Sequence, residues 1–213
     1  MVQQRKGMTP MTELTRRVLT AMDNHLSYDN REPCYSELER IACDLGAELH
    51  NGASRWAFVF KKHKVVYKFP RWCEVEEDYC ALEMQNYELG KKYHIERCLL
   101  PISLVGETES GIPIYLQPMY TSSQDGMERH RRKQVERKMG NVYNAPIIRK
   151  IRRGCYSSPH DFWVSRATQI YGKAFMRSFQ AWSREGKVND LHSGNVGYLG
   201  KQPIIIDYAG YHG

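Results

Sequence analysis

Three polar residues near the C-terminal end offer the first chemistry. Asp190 is followed five positions later by Asn195, and Asp207 comes twelve positions after that, at the end of the apolar run Ile204-Ile205-Ile206. Phosphoryl transfer from ATP needs one carboxylate that orients a hydroxyl and takes its proton, and two oxygen ligands that hold magnesium against the phosphates. Asp190 fits the first role, and Asn195 and Asp207 fit the second. Turn-forming side chains in a surface loop account for an Asp and an Asn alone. They do not account for the hairpin spacing that leads to a strand-ending Asp207.

The full segments are Val188-Asn189-Asp190-Leu191-His192-Ser193-Gly194-Asn195-Val196 and Ile204-Ile205-Ile206-Asp207-Tyr208-Ala209. They resemble the protein-kinase-like superfamily, whose pattern is an Asp, an Asn at the fifth position after it, a short hairpin and a metal-binding Asp. The run Asp-Leu-His-Ser-Gly-Asn is similar to the loop of the aminoglycoside and choline kinase branch, and to that of the early host-takeover Ser/Thr kinases of podophages. The resemblance spans about residues 47–208 and implies ATP and Mg2+ as cofactors. Val65-Val66-Tyr67-Lys68 resembles the family's Val-Ala-Ile-Lys strand, which puts Lys68 on the α- and β-phosphates.

A glutamate on the following helix must then hold that lysine. Glu88, 20 residues after Lys68, is near the family distance, and Glu83, 15 after it, is the alternative. The phosphate loop falls at Leu49–Ala57, with Gly52, Ala53 and Ser54 closest to phosphate, although it carries fewer glycines than the family pattern. Pro118-Met119-Tyr120 falls where the family's hinge meets adenine. Two departures stand out: Val188-Asn189 replaces the usual His or Arg before the catalytic Asp, and the metal triplet reads Asp-Tyr-Ala rather than Asp-Phe-Gly. The sequence ends six residues after Asp207, so the expectation is a reduced C-lobe.

Elements must position these groups. Leu14, Val18, Leu19, Met22 and Leu26 recur at helical spacing after Pro10. Ser36 and Glu39 have the form of a capping box that opens a second helix, which Gly46 ends. Trp56–Phe60 and Val65–Phe69 read as a hairpin around a polar turn, Lys61–Lys64. A helix over Glu74–Tyr93 starts acidic and ends basic, which complements its dipole. Strands follow at Pro101–Val105 and Ile112–Gln117. A long helix covers Asp161–Glu185, with Phe162, Ala167, Ile170, Tyr171, Ala174, Phe175, Ser178, Phe179 and Trp182 on its buried face. Strands Val196–Leu199 and Pro203–Ile206 close the chain, joined by a turn at Gly200-Lys201.

This order is α+β, because strands and helices do not alternate as βαβ units. The expected fold is a protein-kinase-like, two-lobed one with a reduced C-lobe. Its segments are an N-terminal helical segment (1–46), an N-lobe (47–120), a basic insert (121–160) and the reduced C-lobe (161–213).

Composition narrows the classes. The chain has 213 residues, 41% hydrophobic and 26% charged, which excludes wholesale disorder and collagen-like repeats. No uncharged apolar run approaches the roughly 20 residues that span a bilayer, and no apolar signal segment is visible near the start. The expectation is a cytoplasmic protein with reduced thiols, without membrane contact, and in the host cytoplasm if of phage origin. No GxxxxGK[ST] occurs, which excludes a P-loop. The net charge of +7 suits an anionic partner. Lys and Arg crowd into 129–153, which fits an acidic protein partner or nucleic acid.

The function expected on these grounds is ATP- and Mg2+-dependent phosphotransfer to a protein Ser/Thr hydroxyl, with Lys68, Glu88 and Asp190 as the catalytic set. Two alternatives remain open: a kinase-fold protein that binds and controls a host or partner protein, and a small-molecule kinase.

Overall fold

The computed structural model describes residues 12–25, 34–52, 54–71, 78–120, 146–157, 159–191, 194–199 and 202–209. The fold is mixed α+β. Among the described residues are five α-helices: α1 (Glu13–His25), α2 (Tyr35–Leu45), α3 (Tyr79–Lys92), α4 (Pro146–Gly154) and α5 (Asp161–Glu185). The strands are β1 (Glu48–Asn51), β2 (Arg55–Phe60), β3 (Val65–Pro70), β4 (Ser103–Glu107), β5 (Pro113–Pro118), β6 (Val196–Leu199) and β7 (Gln202–Ile205). None of these helices is long and apolar enough to cross a membrane.

The chain divides into two compact units, residues 1–84 with 101–119, and residues 85–100 with 120–213. The division falls inside α3.

The first unit is built on a five-stranded antiparallel sheet of order β1-β2-β3-β5-β4. Alternation along β2 sends Trp56, Phe58 and Phe60 to one face and Arg55, Ala57 and Val59 to the other. The aromatic face packs with Tyr67, Phe69, Val105, Ile112 and Ile114 against Val18, Leu19 and Met22 of α1 and Leu38 and Ile41 of α2. The buried Thr15 hydroxyl lies 3.0 Å from the Tyr67 phenol and ties α1 to β3. The described helices of the N-terminal segment, α1 and α2, therefore share one core with the sheet.

Two local expectations shift. The cap of α2 is Cys34, not Ser36, and its N–H donates to the Glu37 carboxylate at 3.2 Å. The helix thus starts before the sequence signal, and Ser36 sits in its first turn. Gly46 closes α2 in the left-handed region at φ 73°, where glycine pays no Cβ penalty. Part of the expected phosphate loop, Leu49–Ala57, is regular hairpin: β1 pairs with β2, with Asn51 opposite Trp56.

The second unit centres on α5. Trp163, Phe179 and Trp182 of α5 are fully buried. The Trp163 indole N–H donates to the Ile204 carbonyl at 3.1 Å, and the Trp182 indole N–H donates to the Asn86 carbonyl at 2.8 Å. At Gly172 the backbone leaves helical geometry (φ 88°, ψ 168°) and kinks α5. The kink resets the helical phase, so Ala174, expected on the buried face, is exposed. The Arg97 guanidinium stacks over Tyr171 and Phe175 beside the kink, 4.8 and 4.7 Å from the ring centroids.

The insert expected at 121–160 contains a helix that its charge conceals. Helix α4 buries Ile148 and Ile151 and presents Arg149, Lys150, Arg152 and Arg153 outward. The Gln180 amide of α5 donates to the Ile151 carbonyl at 2.7 Å and holds α4 in place. Residues 121–145, residues 74–77 at the start of the expected Glu74–Tyr93 helix, and the Gly200-Lys201 turn lie outside the described residues.

Candidate functional site

The first unit carries a charged cluster on the sheet face opposite the aromatic core. Ala57 lies opposite Lys68, and Lys68 opposite Tyr115, so the three share one face. Onto this face α3 lowers a fully buried carboxylate, Glu83. Lys68 Nζ donates to both Glu83 oxygens, at 3.0 and 2.8 Å. Arg55 Nη1 donates to Glu83 Oε2 at 2.7 Å, and the Gln117 amide donates to Glu83 Oε1 at 3.2 Å. The Lys68 and Arg55 side chains keep 12% and 14% of their surface in solvent, while the Glu83 side chain keeps none.

The structure therefore pairs Lys68 with Glu83, not with Glu88. Five residues of α-helix turn through 500°, which leaves Glu88 about 140° around α3 from Glu83. Glu88 is exposed and pairs with Lys91 on its own helix at 2.6 Å.

The start of α3 is pinned above the same face. Asp78 Oδ1 accepts the Cys80 and Ala81 amides at 2.8 and 3.1 Å, a cap that satisfies N–H groups the helix leaves unpaired. Asp78 Oδ2 accepts the Tyr115 hydroxyl at 2.6 Å. Burial, and then this hydrogen bond, push the Tyr115 phenol well above its usual range. Cys80, one turn before Glu83, is likewise pushed far up by burial and stays a neutral thiol.

The nucleotide contacts expected from the resemblance fare unevenly. The Gly52 amide donates to the Arg55 carbonyl at 2.8 Å and is used inside the β1–β2 turn. Ser54 is buried, and its carbonyl accepts the Arg71 amide at 3.1 Å. Ala53 lies outside the described residues. The Met119 amide donates to the Lys64 carbonyl at 2.8 Å and extends the β3–β5 ladder. Tyr120, in the second unit, packs so closely on Gly197 that a Cβ there would overlap its phenol. A larger residue at 197 would have to displace the Tyr120 phenol.

The second unit holds Asp190, Asn195 and Asp207. Buried Val188 and Leu191 anchor the segment on either side of Asn189 and Asp190, and the Val188 amide donates to the Ser183 carbonyl at 3.0 Å. The Asn195 amide nitrogen donates to the Asp190 carbonyl at 2.8 Å and to Asp190 Oδ2 at 3.0 Å. Strand pairing of Val196 with Ile205 puts Asn195 opposite the end of β7. The Asn195 carbonyl accepts the Ile206 amide at 2.8 Å and the Asp207 amide at 3.5 Å. Asp190, Asn195 and Asp207 are thus gathered at the open end of the β6–β7 hairpin, all three partly exposed.

The next two residues are locked in place. Tyr208 is fully buried, its hydroxyl donates to the Leu100 carbonyl, and its own carbonyl accepts the Asn86 amide at 2.9 Å. The Asn86 side chain sits on α3, in the part of that helix belonging to the second unit.

With the Asn195 nitrogen committed to Asp190, its carbonyl oxygen is the atom left to act as acceptor. That oxygen and the Asp207 carboxylate are hard donors suited to Mg2+, which ordinarily takes one or two protein oxygens and completes its shell with phosphates and water. The donor set therefore fits that ion in chemistry. Among the described residues, no three His, Cys, Asp or Glu side chains gather into a metal-holding group.

Compared with known proteins, the chain matches no protein-family model, no curated protein and no solved structure.

Arg55 is the residue that sequence reasoning missed. The signal was present as β2 alternation: once Trp56, Phe58 and Phe60 are taken as core, Arg55 must share a face with Ala57, and hence with Lys68.

Proposed function

We propose that the chain is an ATP- and Mg2+-dependent phosphotransferase acting on a protein Ser/Thr hydroxyl. The observation that carries this reading is the Lys68–Glu83 pair, in which a strand lysine is held by a fully buried glutamate from the following helix. That arrangement suits a lysine that positions the phosphates of a nucleotide. The hydrogen-bonded Asp190 and Asn195, with Asp207 beside them, supply the groups that the second half of the reaction needs. The kinase-like fold and the protein acceptor rest on the resemblance of the Asp-Leu-His-Ser-Gly-Asn loop.

In this reading Lys68 draws the α- and β-phosphates, and Glu83 keeps its ammonium in place. Asp190 accepts a hydrogen bond from the acceptor hydroxyl and takes its proton as the new O–P bond forms. The bond from the γ-phosphorus to its bridging oxygen breaks, and ADP leaves. Asn195 orients Asp190 through its amide nitrogen. A bound Mg2+, held by the Asn195 and Asp207 oxygens, would supply charge neutralisation at the phosphates.

The test is transfer of labelled phosphate from ATP to a lysate or to the protein itself, with wild type and Asp190→Asn compared. Asp190→Asn should keep the nucleotide-induced thermal shift and lose transfer by about 100-fold or more. An active wild type with an equally active Asp190→Asn variant overturns the role of Asp190.

A second reading is favoured by one observation, the outward basic face of α4. In it the kinase-like fold is a binding module for an acidic partner. A wild type that binds nucleotide and transfers nothing favours this reading.

A further inference from the structure

The peptide unit that joins Asp190 to Leu191 is held at both of its polar ends. Its carbonyl accepts the Asn195 side-chain amide at 2.8 Å. Its N–H donates to the Ser157 hydroxyl at 3.4 Å. A trans peptide unit is planar, and its C=O and N–H point in opposite directions. Bonds at the two ends therefore clamp the plane from opposite sides and restrict rotation about the Cα–C bond of Asp190. Asn195 also donates to Asp190 Oδ2 at 3.0 Å, so the carboxylate and the backbone that carries it are oriented together. Asn195 lies at the start of the β6–β7 hairpin, whereas Ser157 comes from another part of the chain, 34 residues before Leu191.

Ser157 is itself anchored on α5. Ser183 of that helix is fully buried. Its hydroxyl accepts the Tyr156 amide at 2.9 Å and donates to the Ser157 carbonyl at 3.4 Å. Its carbonyl accepts the Val188 amide at 3.0 Å. One buried serine thus fixes both the strap that follows α4, residues 155–157, and the start of the segment that carries Asp190. The amides of Val188 and Leu191, on either side of Asp190, have different acceptors: the Ser183 carbonyl and the Ser157 hydroxyl. Ser157 is half-buried, so its hydroxyl can be removed without opening the interior or altering Asn195.

We propose that Ser157 is a positioning residue for Asp190: through the Leu191 amide it holds the Asp190–Leu191 peptide plane, and with it the direction of the carboxylate. Ser157 takes no part in proton transfer. The clamp follows from the hydrogen bonds, and only its consequence for transfer rests on the phosphotransferase reading.

Amide exchange in the ligand-free protein, followed by NMR, tests the clamp without any activity. Ser157→Ala should speed exchange at Leu191 by about threefold or more, as loss of one hydrogen bond does, and leave Val188 within about twofold. Ser157→Thr keeps the hydroxyl and should restore most of the protection. Unchanged exchange at Leu191 in Ser157→Ala overturns the proposal. Equal acceleration at Val188 and Leu191 also overturns it, because that is general loosening and not a clamp on one peptide plane. Where Ser157→Ala fails to fold, Ser157→Cys decides, since a thiol accepts hydrogen bonds only weakly: faster exchange confined to Leu191 supports the clamp, and wild-type exchange overturns it.

Labelled-phosphate transfer keeps the two readings apart. Ser157→Ala should lower kcat about tenfold through misplacement of Asp190 and leave the KM for ATP within about twofold, with recovery in Ser157→Thr. Transfer by wild type with unchanged kcat in Ser157→Ala removes this inference alone. Faster exchange confined to Leu191 in Ser157→Ala, in a protein whose wild type transfers nothing, removes the phosphotransferase reading and supports the clamp.

Discussion

At the residue scale, two glutamates on one helix have opposite fates. Glu83 is buried under Lys68, Arg55 and Gln117, while Glu88 pairs with Lys91 in solvent. Breaking a buried ion pair by neutralising one partner costs about 3 kcal/mol when burial is deep. Glu83→Gln should therefore lower stability by about 2–3 kcal/mol, because Lys68 and Arg55 keep some contact with water. It should also reduce any nucleotide-induced thermal shift. Glu88→Gln should change stability by no more than about 0.5 kcal/mol, as exposed ion pairs do. Urea denaturation of both variants checks this, and equal losses would contradict the assignment of Glu83. The sequence placed a glutamate within reach of Lys68 but offered two, and linear spacing favoured the wrong face. Helical phase decides between them. It is read from Cys80, Glu83, Asn86 and Gly90, all buried on the described part of α3.

At the scale of elements, the break in α5 is the feature with the clearest energetic signature. Gly172 adopts φ 88°, ψ 168°, a region that side chains other than glycine enter only at a cost of about 1–3 kcal/mol. Space is not the obstacle, because a Cβ there meets nothing within 4 Å. Gly172→Ala should lower stability by about 1–2 kcal/mol through the backbone alone. Straightening the helix to escape the strain would carry Tyr171 and Phe175 away from Arg97. A denaturation midpoint at or above that of wild type would show that the kink is dispensable. A second test concerns α4, whose apolar residues face inward and whose basic ones face out. Ile151→Ala should cost about 2–4 kcal/mol if the helix is packed as described, whereas Lys150→Ala should cost less than about 0.5 kcal/mol. Equal effects in chemical denaturation would place α4 off the second unit.

At the scale of the whole molecule, the thiols report on cooperativity. Cys80 is buried in the first unit and Cys98 in the second, and burial pushes both thiols far above their ordinary value. Cys34 and Cys43 are exposed. An alkylating reagent at pH 8 should modify Cys34 and Cys43 at once, and Cys80 and Cys98 only as each unit opens. Mass spectrometry of the labelled peptides gives the two opening rates. Similar rates for Cys80 and Cys98 mean that the units unfold together, and separate rates mean independent unfolding.

The same shift fixes a pH dependence. The folded chain keeps these thiols neutral, while the unfolded chain ionises them above about pH 9. The stability they contribute is complete below that pH and declines as pH rises beyond it. Replacing both by Ala should flatten that alkaline decline in urea midpoints between pH 8 and 10.

What the sequence by itself determined is local and periodic. Alternation in Trp56–Phe60 and Val65–Phe69, the run of Asp161–Glu185, and the short hairpin after Asn195 follow from side-chain repeat lengths of about 2 and 3.6 residues. The spacing of Asp190, Asn195 and Asp207 across that hairpin is also a local matter, since one register brings the three together. Tertiary structure alone decided the rest. Which glutamate meets Lys68 depends on the rotation of α3 over the sheet, and Arg55 joins the cluster only because β2 lies beside β3. Helix α4 was hidden because charge dominates the composition of 129–153, while two buried isoleucines suffice to seat it on α5. The kink at Gly172 leaves the local pattern almost unchanged, yet it moves Ala174 from the expected core to solvent. Each of these outcomes turns on contacts between residues far apart in the chain, whose free energies the local sequence does not contain.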